Sequence, residues 1–413
     1  MFSLDLVWNK PAKDYKFVTD HILRIRINPS SDQQFSLPLR MAIALDTSSS
    51  MKGEKLSAAK QACHSVVAQL RDQDRLELAS FATEVKPLLQ SLSGSLNARE
   101  SANQAISKLE ASGVTRMDMA LDWIQNALPQ ESGVIRIAII VTDGHATTPE
   151  GSLLEDINPL LEQAEKLSND GVYLYTVALG NADNFNTEFL QTLSNRGQGT
   201  FVYAPTTEQL EPLIKERLIA SQAVAIDEAK LKLTTKLNSV KLKGFCRFQP
   251  DYILLEEAAS GCLNIGAIRT DTPTDLLIKV EVPGGTKNAL GNQDVLEVEL
   301  TANDLPNEVR ATSPLLFTDS YSQAEQVNKS VEADRINWEI KILVNDLLHL
   351  SSEDKVSEDL LNTIRFNAEK IGWQEIATLM DKLHADLKQT GQLNRTRVTT
   401  TLVTANQSLN PKN

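Results

Sequence analysis

Two apolar runs constrain this chain more than any other feature. Met41-Ala-Ile-Ala-Leu-Asp46 and Gly133-Val-Ile-Arg-Ile-Ala-Ile-Ile-Val-Thr-Asp143-Gly144 each fill a short strand with Ile, Val, Leu and Ala and then stop at a carboxylate. Continuous apolar runs of this length suit strands buried on both faces, as in a parallel sheet. In open α/β sheets the carboxyl edge of such strands is where ligands bind. Side by side, the two strands would bring Asp46 and Asp143 together at that edge. Facing carboxylates repel unless a proton or a cation lies between them.

Hydroxyls gather around the same two positions. Ser48 and Ser50 follow Asp46 at alternate residues, and Thr115, in Ser112-Gly-Val-Thr-Arg-Met117, precedes an amphipathic helix. Each residue alone could cap a helix or a turn. Together Asp46, Ser48, Ser50, Thr115 and Asp143 form an all-oxygen set that suits a hard divalent cation such as Mg²⁺, with Mn²⁺ able to substitute. The ordered DxSxS, lone Thr and VTDG resemble the von Willebrand factor A (VWA) domain and its metal-ion-dependent adhesion site, over residues 38–220. The resemblance implies that Ser48, Ser50 and Thr115 ligate a divalent ion, usually Mg²⁺, that Asp46 and Asp143 act directly or through water, and that an acidic group of a partner completes the shell. Ser49 and Val114 stand where glycines are common in that family, and neither removes a ligand.

Apolar residues at helical spacing over 54–70 include Leu56, Ala59, Cys63, Val66, Val67 and Leu70. Strand-like segments at 76–81, 171–179 and 200–203 alternate with helical ones at 98–109, 117–128, 153–167 and 208–221. This predicts a doubly wound, mostly parallel, Rossmann-like α/β sheet over 38–222. From about 223 to 318 the period changes to two, with Gly284-Gly285 as a turn, which predicts an antiparallel β-sandwich. Strand-like segments at 2–8 and 18–27 have no helices of their own, so residues 1–37 are expected to join the sandwich and leave the α/β domain inserted in it. Residues 319–390 read as a helical region, in which Trp338, Ile340, Ile342 and Leu343 pack its own core, and 391–413 as a flexible polar tail. A layout of this kind resembles bacterial proteins whose A domain is framed by β-strands. That resemblance implies a setting beside an AAA+ ATPase as an assembly or metal-insertion partner.

A formal net charge of −13 over 413 residues argues against nucleic acid or an anionic membrane as the main partner. Cys63, Cys246 and Cys262 are too few for a disulfide framework and read as reduced core thiols, although Cys246 and Cys262 could meet across strands. The start lacks the pattern of a secretory signal and no stretch approaches a membrane span, so the cytoplasm is the expected compartment and the sequons at Asn328, Asn394 and Asn406 are expected to be chance. Walker A, GxGxxG, GxSxG, HExxH and CxxC patterns are absent from the sequence. His145 is the one candidate base for a metal-dependent hydrolase, and Asp118 reads as an early-helix acid. The expected function is therefore an Mg²⁺-dependent protein-binding adaptor and not an enzyme; a hydrolase using the same ion and a structural protein with a vestigial site are the rivals.

Overall fold

The computed structural model describes residues 2–29, 36–258, 261–302, 305, 308–352 and 357–406. They form two compact units: one of residues 36–224 and 394–403, the other of residues up to 35, 225–393 and from 404 on.

The first unit is built on a six-stranded sheet. Leu39–Asp46 and Ile135–Thr142 lie at its centre, flanked by Arg75–Phe81 and Val85–Leu92 on one side and by Val172–Leu179 and Gln198–Ala204 on the other. All pairings are parallel except Val85–Leu92, which runs antiparallel to Arg75–Phe81 and closes one edge. The two central strands are buried almost throughout, as sequences that are apolar apart from Arg40, Arg136 and their C-terminal polar residues require. The helices pack in two groups, as a sheet covered on both faces needs. Glu54–Gln69 packs with Leu96–Ser107 and Thr207–Gln222, and Asn158–Asn169 packs with Met117–Ala127 and Thr187–Arg196. The fold is thus the Rossmann-like α/β sheet expected. The helix expected from 153 begins only at Asn158, where a proline in the first turn sets its start, and Leu153 instead pairs with Thr147 in an isolated bridge.

The second unit is a sandwich of two sheets. Ser3–Trp8, Thr19–Asn28, Thr274–Val282, Lys241–Gln249 and Ile253–Leu255 make one. Glu257–Ala258, Cys262–Arg269, Val224–Thr235, Gly291–Ala302, Val309–Thr318 and Ala12–Asp14 make the other. Their alternating apolar residues share one core, in which Leu23, Ile25 and Ile27 from the N-terminal segment meet Leu231, Val298 and Leu300. The N-terminal strands therefore belong to this sandwich, and the α/β unit is inserted between them and the rest. Helices Lys329–Ser352, Glu358–Lys370 and Gln374–Thr390 follow.

Two expectations need correction, and the alternative pairing of Cys246 with Cys262 falls away. Trp338 does not pack a core private to the helices; it lies with Ile22, Cys246, Phe248 and Leu277 against the five-stranded sheet, while Ile342 of the same helix is exposed. Cys246 and Cys262 stand in different sheets and all three cysteines are free; Cys63 and Cys246 are buried and Cys262 half-buried. Residues 391–413 are not one flexible tail. Arg395–Asn406 is a helix whose Val398, Leu402 and Ala405, spaced four and three apart, are buried; residues 407–413 lie outside the described residues. Among the described residues no helix is long and apolar enough to cross a membrane.

Candidate metal centre

The register of the two central strands decides the site. Leu45 lies opposite Val141 in parallel pairing, so the next residues, Asp46 and Thr142, emerge together at the carboxyl edge. The Thr142 hydroxyl donates to Asp46 Oδ2 at 2.6 Å, and the backbone N–H of Ser48 donates to Asp46 Oδ1 at 2.7 Å. These bonds fix the carboxylate and turn the chain after it. Ser48 and Ser50, two residues apart on that turn, place their Oγ atoms 3.0 Å from each other, and Ser50 Oγ donates to Asp143 Oδ1 at 2.7 Å. The second Asp143 oxygen accepts from Lys55 Nζ at 2.5 Å.

Thr115 arrives from a separate loop that is tied to the first. Ser49 donates through both its N–H and its hydroxyl to the carbonyl of Gly113, and Ser112 N–H donates to Thr47 O at 2.8 Å. Gly113 sits at φ +85°, where a Cβ would also strike Thr83 Oγ1 at 2.4 Å, so only glycine fits this crossing. Downstream, Thr115 N–H donates to Thr147 Oγ1 at 3.0 Å, which ties its loop to the segment after Asp143. Around Gly144, a Cβ would stand 3.6 Å from Thr115 Oγ1 and 3.8 Å from Ser50 Oγ, so those hydroxyls converge beside Asp143. Among the described residues the Thr115 hydroxyl has no hydrogen-bond partner, which leaves it available to a ligand.

All five expected residues thus meet at one place. Asp46 and Asp143 are 0% exposed, Ser48 and Thr115 are buried, and Ser50 opens to solvent. Burial pushes the Asp46 carboxyl up to about 6; hydrogen bonds from Thr142 and Ser48 oppose that shift, and the charge of Asp143 adds to it. Among the described residues no group of three or more His, Cys, Asp and Glu side chains comes together, so a metal here depends on hydroxyl oxygens. The donors fit a hard divalent ion: two carboxylates, three hydroxyls, and a positive charge already drawn onto one carboxylate.

Other candidates are placed elsewhere. His145 hydrogen-bonds the backbone of Asp183, and burial lowers its affinity for a proton. Asp118 opens the Met117–Ala127 helix and takes both Nε and Nη2 of Arg116, at 2.9 and 2.5 Å. Sequence reasoning missed Thr142, Lys55 and Thr147. Thr142 lay within the VTDG run itself, whereas Lys55 reads as an ordinary helix lysine. Beside the site a cavity of about 450 Å³ is lined by Thr47, Thr83, Lys86, Lys108, Ser112 and Gly113 among others.

Comparison with known proteins now fits this geometry. Residues 41–216 match the von Willebrand factor type A domain. That segment has the Rossmann-like α/β fold of this domain. At the level of fold, the whole chain superposes on a von Willebrand factor type A protein from Catenulispora acidiphila with a TM-score of 0.79, 15% identity, and coverage of 99% of this chain and 97% of the other. VWA2, the ArnB paralog from Sulfolobus acidocaldarius, superposes with a TM-score of 0.61 at 16% identity over 98% of each chain. Curated relatives are more distant in length. The uncharacterized protein YfbK of Escherichia coli is 25% identical over 202 residues, 48% of this chain and 34% of its own. Human inter-alpha-trypsin inhibitor heavy chain H1 is 26% identical over 181 residues, 41% of this chain and 19% of its own. The chain therefore spans about a third or less of these two relatives.

Proposed function

We propose that the A domain is a protein-binding module that takes up a divalent cation, Mg²⁺ or Mn²⁺, and through it holds a carboxylate of a partner protein. Domains of this family commonly bind a divalent metal at this site and typically mediate protein interactions. Ser48, Ser50 and Thr115 would hold the ion with Asp46 and Asp143, and the ion would take an Asp, a Glu or a C-terminal carboxylate as a further oxygen ligand. The observation that carries the reading is the convergence of five oxygen side chains at one sheet edge, with the Thr115 hydroxyl unpartnered and Ser50 open to solvent. With two acids in the set, a divalent ion leaves the site close to neutral, so an incoming carboxylate meets little repulsion. The adjoining cavity would accept side chains flanking that carboxylate and give selectivity.

A hydrolase would need a base poised beside the ion. His145 is the only histidine near Asp143 in sequence, and its bond to the Asp183 backbone turns it to another task. The adaptor reading is therefore favoured, with an AAA+ ATPase as the first partner to try. Affinity capture from native lysate tests it, using wild type in Mg²⁺, wild type in EDTA and Asp46→Ala in Mg²⁺, each checked for folding. The reading expects a partner retained only by wild type in Mg²⁺. Partners retained equally in all three would move the binding surface away from the site.

A further inference from the structure

Lys55 is the one cation in contact with the site's carboxylates among the described residues. It occupies the second position of the Glu54–Gln69 helix and reaches back to Asp143 Oδ2 at 2.5 Å, with its side chain 26% exposed against 0% for Asp143. The reach is shaped by the fold. An ideal Cβ on Gly180 would stand 3.3 Å from Lys55 Cε, so the bare glycine backbone after the Val172–Leu179 strand leaves the channel in which the lysine stem lies. With Ser50 on Oδ1 and Lys55 on Oδ2, both oxygens of Asp143 are engaged. Two buried acids facing each other need a counter-charge, and the ammonium supplies it.

We propose that Lys55 is a built-in cation of the A domain, which neutralises Asp143 when no divalent ion is bound and sets the ion's affinity by competing with it for that carboxylate. The proposal rests on the metal-binding reading above. Lys55 then has two effects of opposite sign. It stabilises the metal-free protein by offsetting the Asp46–Asp143 repulsion, and it weakens divalent binding because its charge must withdraw from Asp143 or remain as a like charge beside the ion. A site tuned this way takes up the ion more weakly alone than together with a partner carboxylate, whose negative charge offsets that of Lys55.

Isothermal titration of Mg²⁺ into wild type, Lys55→Met, Lys55→Arg and Asp46→Ala, with thermal melts of each in EDTA and in Mg²⁺, tests this. Lys55→Met is expected to bind Mg²⁺ at least about tenfold more tightly than wild type, since one full charge is removed from the ion's immediate surroundings. It is also expected to melt lower than wild type in EDTA and to gain more from Mg²⁺. Lys55→Arg, which keeps the charge, is expected to stay near wild type. If Lys55→Met fails to fold, Lys55→Gln, which keeps polarity and most of the length, carries the same expectation. Unchanged or weaker Mg²⁺ binding by the neutral variants, with Asp46→Ala inactive, would overturn the competition and make Lys55 a residue that holds Asp143 in place for the ion. Wild-type affinity in Asp46→Ala would instead put the ion elsewhere and remove both readings.

Discussion

The two ends of the Leu39–Asp46 strand each face a buried aspartate, and the two are treated in opposite ways. At the amino end Asp74 is 0% exposed, yet five bond donors surround it. Arg71 gives Nε, Nη2 and its backbone N–H; Leu39 gives its N–H at 3.0 Å and Gln222 its side-chain amide at 2.8 Å. Burial alone would raise this carboxyl, but these bonds outweigh it and hold Asp74 below the ordinary value. At the carboxyl end Asp46 is equally buried and is held by neutral donors, with a second acid beside it, and its carboxyl rises to about 6. One end is a closed lock that carries the strand start. The other is left short of positive charge, which is the condition for binding a cation.

The sharpest way to separate them is to remove each acid in turn. Asp74→Ala strands Arg71 and orphans the Leu39 N–H, and should lower unfolding free energy by about 3 kcal/mol, the low end for a broken buried pair because Arg71 is partly exposed. Urea denaturation in EDTA and in Mg²⁺ should return the same loss. Asp46→Asn should do the reverse. It removes a carboxylate that is ionised at neutral pH against its burial, so the metal-free protein should gain on the order of 1–3 kcal/mol while Mg²⁺ uptake disappears. A loss of stability in Asp46→Asn would erase the contrast between the two ends.

Proton linkage sharpens the contrast further. Asp46 has a folded value of about 6 against an ordinary 3.8, so the folded state binds the extra proton between them. The Asp46 contribution to metal-free stability, read as the difference between wild type and Asp46→Asn, should therefore rise as pH falls through 6 towards 4, and Mg²⁺ affinity should fall over the same interval, because proton and ion compete for one carboxylate. Asp74, shifted the other way, should keep its contribution throughout that interval and lose it only below the ordinary value of 3.8. Titration calorimetry and melts across the interval measure both. The smallest effect belongs to Arg40, near the amino end, whose pair with Glu131 is half open to solvent. Arg40→Ala should cost less than about 1 kcal/mol and leave Mg²⁺ affinity unchanged.

Much of this was legible in the residues. Buried central strands announce themselves as nearly continuous apolar runs, and once residues 41–45 and 134–141 are set in parallel with Leu45 opposite Val141, Asp46 and Asp143 come to the same sheet edge one residue out of register. The edge strand Val85–Leu92 was not legible, because one face is open to water and Pro87 interrupts its pattern. The helix Arg395–Asn406 was hidden by its threonines, poor helix formers that are retained because Thr399 and Thr401 are buried and Thr399 pairs with the Thr187 hydroxyl at 2.8 Å. Lys55 could not be read at all. Its role depends on a tertiary reach past Gly180, and nothing in a helix sequence marks one lysine among many.

The central claim is that the carboxyl end of this strand is a metal site built on hydroxyls. Titration of Mn²⁺ followed by electron paramagnetic resonance, on wild type and on the Ser48→Ala/Ser50→Ala double variant, tests it most directly. The account predicts one bound ion per chain in wild type and none in the folded double variant at the same Mn²⁺ concentrations. Equal binding by the two proteins would contradict it.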